Sequence, residues 1–413
     1  MTVSKARQLP PGIDEELQAE APMKIKVSNN DPDRIFIQFQ KDTPLMDGHC
    51  IAIDAGRRKW KIGYWKNPKL LVIDRFCTDL ATVPTTNIAE VAPAAASLKG
   101  FLSRNKASIS EKNRVTITYQ GDTYTTGVRA QKLKGDRELG QKKTVNLLQR
   151  VLCALTLHGI MEGKVYLMLG IPFEGENNWQ MEESLAFDTV AGDHVWQSDK
   201  GAHEVEIIPF IAPEAFHADK APRLLDDEYP DWEKIPRYVF DFGDQTFIKA
   251  AFGYDHAQGG VYFDSDLSEC HDGFGLSLFY KYVAENAKIG SSEDPVFVEA
   301  VNRWEDEDSP DHPLPPSIIE VDGQRFFACQ HGKVSLDGPI SQALDRYLTE
   351  IFKLTNFAPG FRHFMVVGGG AYWVAEQFCA KYSWAESFSP EIPDLCNILG
   401  QAKSFREAFV DQD

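Results

Sequence analysis

The chain has 413 residues, which at roughly 150 residues per domain points to two or three domains and excludes a lone small module. Its 43 Lys and Arg against 61 Asp and Glu leave a net charge of −18. Polyphosphate backbones and anionic lipid surfaces repel such a chain, so direct, non-specific coating of DNA is not expected. With 43% hydrophobic and 25% charged residues, wholesale disorder and a fibrous repeat are excluded as well.

The seven cysteines (Cys50, Cys77, Cys153, Cys270, Cys329, Cys379 and Cys396) have no CxxC spacing, and several lie in apolar runs, which fits a reducing cytoplasm. No start resembling a signal peptide precedes Pro10 and Pro11, and no apolar stretch reaches the roughly 18 residues of a spanning helix. A cytoplasmic protein with no membrane partner is the expectation. Cys270-His271-Asp272 lacks a second ligand pair and reads as a loop, not a zinc site.

In chain order, residues 1 to 22 are polar, with an acidic cluster at Asp14, Glu15 and Glu16, and read as a disordered tail. From Lys24 the chain alternates apolar and polar residues around Asn29-Asn30-Asp31-Pro32, a hairpin decorating the first domain. His49 to Gly56, Lys59 to Trp65 and the run Lys69 to Phe76 then read as an antiparallel meander. Val145, Leu148, Val151, Leu152 and Leu155 predict a helix over Thr144 to His158, stopped by Gly159. A buried strand follows at Lys164 to Leu169. The stretch from Glu174 to about Pro236 is rich in Asp, Glu, Asn and Pro, with one strand at Glu204 to Ile211, and separates two patterned halves. Arg303 to Ser317 reads as an acidic, solvated loop.

One hairpin occurs twice. IAIDAGRRKWKIGYW, with Asp54, is echoed by YVFDFGDQTFIKAAF, with Asp241. Each is an apolar strand ending in Asp-x-Gly, polar turn residues, then a strand opened by an aromatic residue, Trp60 or Phe247. Glycine there permits a tight turn and close approach of the backbone to a ligand. Successive turn N–H groups form an anion-binding concavity, and a carboxylate beside it can hold Mg2+ through the metal's waters. Two such hairpins suggest two similar domains with a ligand in the cleft. A third element runs from the strand His363 to Val367 through Gly368-Gly369-Gly370 into a helix, without the Walker A pattern or the spaced glycines of a Rossmann turn. Asp272-Gly273-Phe274-Gly275 precedes a further helix, Leu276 to Ala287.

These elements, together with the strand ending in Gly170-Ile171-Pro172, resemble in their order the actin-like ATPase superfamily, and within it the ParM/StbA plasmid-segregation actins, over about Cys50 to Tyr382. The family's phosphate 1, connect 1, phosphate 2 and adenosine motifs fall at Asp54 to Lys61, Leu169 to Glu176, Asp241 to Thr246 and Val366 to Ala371. The resemblance implies an α/β, actin-like fold of two duplicated domains, each a mixed β-sheet flanked by helices, with nucleotide in the interdomain cleft. Domain I would span 23–235, including the hairpin and connect 1, and domain II 236–360. Residues 361–413 would carry the adenosine motif and C-terminal helices returning to domain I.

By the same resemblance, Asp54 and Asp241 would be the Mg2+ carboxylates and, with a water-positioning glutamate, the catalytic set. That glutamate is Glu174 or Glu176, and Glu174 is taken first. Lys61 would project toward the phosphates, with Gly56, Arg57 and Arg58 in phosphate 1, Gly243, Asp244, Gln245 and Thr246 in phosphate 2, and Gly368, Gly369, Gly370 and Ala371 in the adenosine motif. Arg57 and Arg58 stand where the family has small polar residues. Asp244 stands where it has glycine, and brings negative charge to an anion site unless a metal or Lys249 offsets it. The implied function is a Mg2+-dependent ATPase, with GTP as the other candidate, that self-associates into filaments and segregates plasmids through a DNA-bound adaptor, without touching nucleic acid itself. A small-molecule kinase on the same scaffold and a catalytically inactive nucleotide-binding scaffold are the alternatives.

Overall fold

A computed structural model describes residues 23–28, 31–39, 45, 47–56, 59–77, 79–83, 115–127, 130, 133, 144–171, 173, 176–221, 232–257, 259–308, 313–329, 332–390 and 392–410. The expected tail, residues 1–22, lies outside them. The described residues form two units. The first comprises those before residue 231 together with those from Leu395 onward, and the second runs up to Asp394.

The strands of the first unit are β1 (Met23–Ser28), β2 (Asp31–Phe39), β3 (His49–Asp54), β4 (Lys59–Asn67), β5 (Leu70–Cys77), β6 (Leu80–Val83), β7 (Thr116–Tyr119), β8 (Asp122–Thr126), β9 (Glu162–Ile171), β10 (Gly192–Ser198) and β11 (Gly201–Pro213). Those of the second are β12 (Arg237–Phe242), β13 (Thr246–Asp255), β14 (Gly260–Asp272), β15 (Ile318–Val321), β16 (Gln324–Cys329), β17 (Gly332–Val334), β18 (His363–Val367) and β19 (Glu386–Phe388). The helices, in chain order, are α1 (Leu147–Leu157), α2 (Glu176–Val190), α3 (Leu276–Ala287), α4 (Pro295–Asn302), α5 (Asp337–Leu354), α6 (Ala371–Lys381) and α7 (Cys396–Val410).

The first unit is one sheet in the order β1-β2-β5-β4-β3-β9-β11-β10-β7-β8-β6. At its centre the meander β5-β4-β3 is antiparallel, and β9 and β11 join it parallel. Side chains alternate across the strands. Ile51, Ile53, Trp60, Ile62, Leu167 and Leu169 therefore share one face and form a buried cluster with Val151, Leu152 and Leu155 of α1 and Ala186 and Val190 of α2. Ala52, Asp54, Lys61, Gly63 and Gly170 take the other face. There α7 packs, with Ile398 filling the space where a Cβ on Gly63 would stand, 3.2 Å away.

The N-terminal hairpin β1–β2 extends this sheet through β2 and β5. Ile35, Ile37 and Phe39 face inward, and Phe39 lies 5.2 Å from the Trp65 ring. Arg34 makes two hydrogen bonds of 2.9 Å to Asp74, whose carboxylate is fully buried, while His158 Nε2 stands 3.7 Å from it. On the outer strand, Lys24 and Lys26 are exposed, which protects the sheet edge from pairing with another chain.

The second unit repeats the central design. Its five-stranded sheet runs β14-β13-β12-β18-β19, with an antiparallel meander β14-β13-β12 and parallel β18 and β19. Its core is aromatic: Phe240 packs on Phe378 at 5.0 Å, Phe242 on Phe247 at 4.9 Å and Phe279 on Trp373 at 4.8 Å. A small sheet, β15-β16-β17, stands between α4 and α5.

Helix α3 and strand β18 occupy the ranges expected from sequence. Four expectations change. Helix α1 starts at Leu147, because Asn146 takes a left-handed φ of 53°, and Val145 is 40% exposed. The polar stretch after Glu174 holds α2 and β10, which were not expected. Met181, Leu185 and Phe187 of α2 are exposed, so its apolar residues do not mark one buried stripe. Cys270-His271-Asp272 ends β14, paired to Thr246–Ile248, and is not a loop. Finally, β18, α6 and β19 belong to the second unit because β18 is the parallel partner of β12, so the chain rejoins the first unit at Leu395, not at 361.

Arg34→Ala leaves Asp74 as a buried carboxylate without its bidentate partner. Urea denaturation is expected to give a loss of about 3 kcal/mol. The double variant Arg34→Met/Asp74→Leu is expected to recover most of it, since the buried charge is then gone as well.

Candidate functional site

In the first unit the site begins at the C-terminal end of β3. The register sets Asp54 opposite Lys61 on β4 and beside Gly170 on β9. Asp54 is 5% exposed, and Lys61 Nζ donates to its Oδ2 at 2.8 Å. A carboxylate this far from water needs such a partner. The Gly56 N–H turns back onto the Asp54 carbonyl at 2.9 Å, and a Cβ on Gly56 would stand 2.5 Å from the Lys59 carbonyl oxygen, so the turn requires glycine. Arg57 and Arg58 lie outside the described residues, as does Glu174. Glu176 is the first residue of α2, and its side chain is not described.

The ends of β9 and β11 bring in a residue that the sequence reading missed. The Glu214 N–H donates to the Ile171 carbonyl at 2.7 Å, and its side-chain Cγ lies 3.6 Å from where a Cβ on Gly170 would be. Glu214 is therefore buried on the same sheet face as Asp54, at the carboxyl ends of the parallel strands, where open α/β sheets bind ligands. The next residue, Ala215, is buried with a left-handed φ of 65°, and its N–H donates to Asn397 Oδ1 of α7 at 3.2 Å. A non-glycine residue there stores strain, a common feature of functional loops. The signal available in sequence was only Pro213-Glu214-Ala215 at the end of a strand.

Two residues further on, His217 is buried and shares a hydrogen bond of 3.0 Å between Nδ1 and Ser404 Oγ of α7. Burial, helped by nearby Lys220, lowers its pKa to about 3.

In the second unit Asp241 is the penultimate residue of β12 and is 5% exposed. The turn that follows is tied to α3: the carbonyls of Gly243, Asp244 and Gln245 accept from the N–H groups of Leu276 (3.0 Å), Ser277 (2.7 Å) and Gly275 (3.0 Å), and the Gly243 N–H donates to Thr246 O at 2.9 Å. The otherwise unsatisfied donors at the start of α3 are thus spent on the turn. Gly275 is required, because a Cβ there would stand 2.5 Å from Asp244 backbone atoms. Asp244 sits at a helix N-terminus, where the dipole favours a carboxylate. Lys249 does not offset it. Its ammonium is buried, bonded to Glu269 and 5.8 Å from the centre of the Tyr238 ring.

The Gly368-Gly369-Gly370 run packs on the same strand end, since Asp241 is in register with Val367. Gly368 has φ +86°, and a Cβ there would stand 2.2 Å from Asp241 Oδ1; one on Gly370 would stand 2.6 Å from Phe242 Cβ. Close packing against β12 explains these two glycines, whereas Gly369 meets open space. Ala371 opens α6, which is fixed by Tyr372 donating to Asp394 at 2.7 Å and Trp373 donating to Asn302 at 3.3 Å. The structure thus brings Asp241, Gly243 to Thr246 and Gly368 to Ala371 together in the second unit, and Asp54, Gly56 and Lys61 together in the first.

Among the described residues no group of three or more His, Cys, Asp or Glu could hold a metal. Asp54 and Asp241 each fit a Mg2+ that keeps its waters and phosphate oxygens as the remaining ligands, because each is a shielded carboxylate beside a glycine turn.

Two outcomes are expected. Gly368→Ala should lower the thermal midpoint by the equivalent of about 1–3 kcal/mol, through its positive φ and the clash with Asp241, while Gly369→Ala stays close to the parent. His217 is neutral when folded and free to protonate when unfolded. Its contribution to stability is therefore complete above pH 6.5 and is lost as pH falls from there toward about 3. His217→Gln should flatten that part of the profile in urea titrations at stepped pH.

No protein-family model matches the chain, and no curated protein matches it in sequence. Solved structures do. A 15-stranded ParM filament from Clostridium botulinum matches with a TM-score of 0.61 at 14% identity, covering 88% of this chain and 100% of that one. Ta0583, an archaeal actin homologue, gives 0.58 at 14% identity over 88% and 100%, and it has also been crystallised with ADP. The Alp12 filament structure gives 0.52 at 14% identity over 87% and 99%. With its two repeated sheets and this coverage, the chain has an actin-like fold of the ParM-like kind.

Proposed function

We propose that the chain is a Mg2+-dependent nucleoside triphosphatase, using ATP or GTP, that assembles into filaments and serves plasmid segregation through a DNA-bound adaptor. The observation that carries this reading is the pair of Asp-x-Gly turns, each ending a central strand that has a parallel partner. Asp54 and Asp241 are the carboxylates offered to Mg2+, which when bound neutralises charge on the phosphate oxygens. Lys61, now paired with Asp54, is placed to turn its ammonium toward a phosphate once a metal takes up the carboxylate's charge. Gly56, Arg57, Arg58 and the Gly243–Thr246 turn are the proposed phosphate contacts, and Gly368 to Ala371 the proposed nucleoside contact, with Gly369 as the open position.

For the water-positioning carboxylate Glu214 is the candidate whose surroundings are described; Glu174 lies outside the described residues and the side chain of Glu176 is not described. Glu214 is shielded from water, shares the face of Asp54 and is held by a strained backbone, and phosphoryl transfer depends mainly on positioning. Filament assembly is supported by the likeness to the ParM and Alp12 filament structures, and would require heterologous contacts that do not close. The charge of −18 favours a basic adaptor over direct contact with DNA.

Sedimentation and negative-stain microscopy with ATP, GTP, ADP and no nucleotide, alongside phosphate release, test the proposal. Pelletable filaments with triphosphate and steady phosphate release are expected. Turnover only with an added small-molecule acceptor, and no pellet, would instead identify a kinase. Asp241→Ala should remove Mg2+-supported release. Glu214→Gln should slow release about 100-fold with filaments retained. If Glu174→Ala has that effect and Glu214→Gln does not, the role belongs to Glu174.

A further inference from the structure

Helix α7 turns a polar stripe inward. Asn397, Gly400, Gln401 and Ser404 fall at i, i+3, i+4 and i+7 and so share one helix face, which on a sheet-packed helix is ordinarily apolar. All four are buried. Each meets the segment that follows β11 or the strand beside it. Asn397 Oδ1 accepts from the Ala215 N–H, Gly400 lies so close to His217 that a Cβ would overlap its carbonyl, and Ser404 bonds His217. Gln401 reaches over Gly170: its Nε2 is 2.7 Å from the missing Cβ position, with Glu214 Cγ 3.6 Å from the same point.

Gln401 is only 2% exposed, yet its Oε1 has no hydrogen-bond partner. A buried carbonyl left unpaired is costly, and an apolar side chain of equal length would fill the same space without that cost. The amide lies on the face shared by Asp54, Gly170 and Glu214. Asn397, for its part, pins the amide of the one left-handed residue that follows Glu214 directly.

We infer that Asn397 and Gln401 are positioning residues for Glu214. Asn397 fixes the strained Ala215 turn that aims it, and Gln401 packs its amide over Gly170, beside the Glu214 side chain, and so holds that side chain in place. This rests on the assignment of Glu214 proposed above. The C-terminal helix then contributes to turnover without supplying either metal carboxylate.

The test uses full-length chain and steady-state phosphate release with Mg2+ and ATP, with thermal midpoints measured in parallel. Gln401→Met should lower kcat about 10-fold or more with KM nearly unchanged, and with a thermal midpoint equal to or above the parent's. A merely structural Gln401 predicts the same midpoint behaviour with kcat intact, and that result overturns its role. Asn397→Leu should lower kcat about 10-fold, whereas Asn397→Asp, which keeps an acceptor for the Ala215 N–H, should restore it; equal kcat for the two overturns the role of Asn397. Should Gln401→Met fail to fold, the Asn397 pair decides. If Glu214→Gln abolishes release while Gln401→Met and Asn397→Leu leave it intact, this inference falls and the proposed function stands. No release from the unaltered chain with either ATP or GTP overturns both.

Discussion

A carboxylate at the end of a central strand, away from water, can persist only where its charge is met and its neighbours make room, and both units are built around that constraint. In the first unit the charge of Asp54 is met by Lys61 across the hairpin. In the second, room for Asp241 comes from Gly368, where any side chain would strike the carboxylate. Parallel pairing of β3 with β9 and of β12 with β18 fixes which residue stands beside each aspartate. Gly56, Gly243, Gly275 and Gly370 then follow as positions where backbone must pass close to backbone. The turns are stiff because of these close approaches, which is what a site depending on position requires.

The two sheets share strand order and direction but not side-chain chemistry. The first packs aliphatic residues on α1 and α2, the second a network of phenylalanines on α3 and α6. What survives between them is the aromatic that opens the second hairpin strand, Trp60 or Phe247, fully buried in both. Topology and the aspartate turn are thus common to the repeats while the cores have been filled independently, consistent with cores that tolerate many packings at conserved volume and pattern.

What could be read from the sequence was local. The hairpins, the strand before the glycine run and helix α3 each announce themselves within a dozen residues, through alternation, helical spacing or glycine at a turn. Helix α2 does not, because Met181, Leu185 and Phe187 point outward and, among its described side chains, only Ala186 and Val190 near its end are deeply buried. Glu214 was invisible for a different reason. Its significance arises from Gly170 beneath it and from Asn397 and Gln401 on α7, which follows the whole second unit in the chain. No window of sequence contains that arrangement. Lys249 shows the converse error: its nearness to Asp244 in sequence suggested compensation, but strand alternation sends it into the core toward Glu269 and Tyr238.

The order of the chain has a physical consequence for the first unit. Gly63 and Gly170 leave gaps on the sheet face of Asp54 that are closed by Ile398 and Gln401, and the Ala215 turn is held by Asn397. Until α7 docks, that face has neither its packing nor the bond that pins Ala215. Contacts between elements so far apart in sequence carry a closure entropy that local turns do not. The strained turn therefore depends on α7 for its shape, and the geometry around Glu214 is set by long-range packing, not by the local preference of Pro213-Glu214-Ala215.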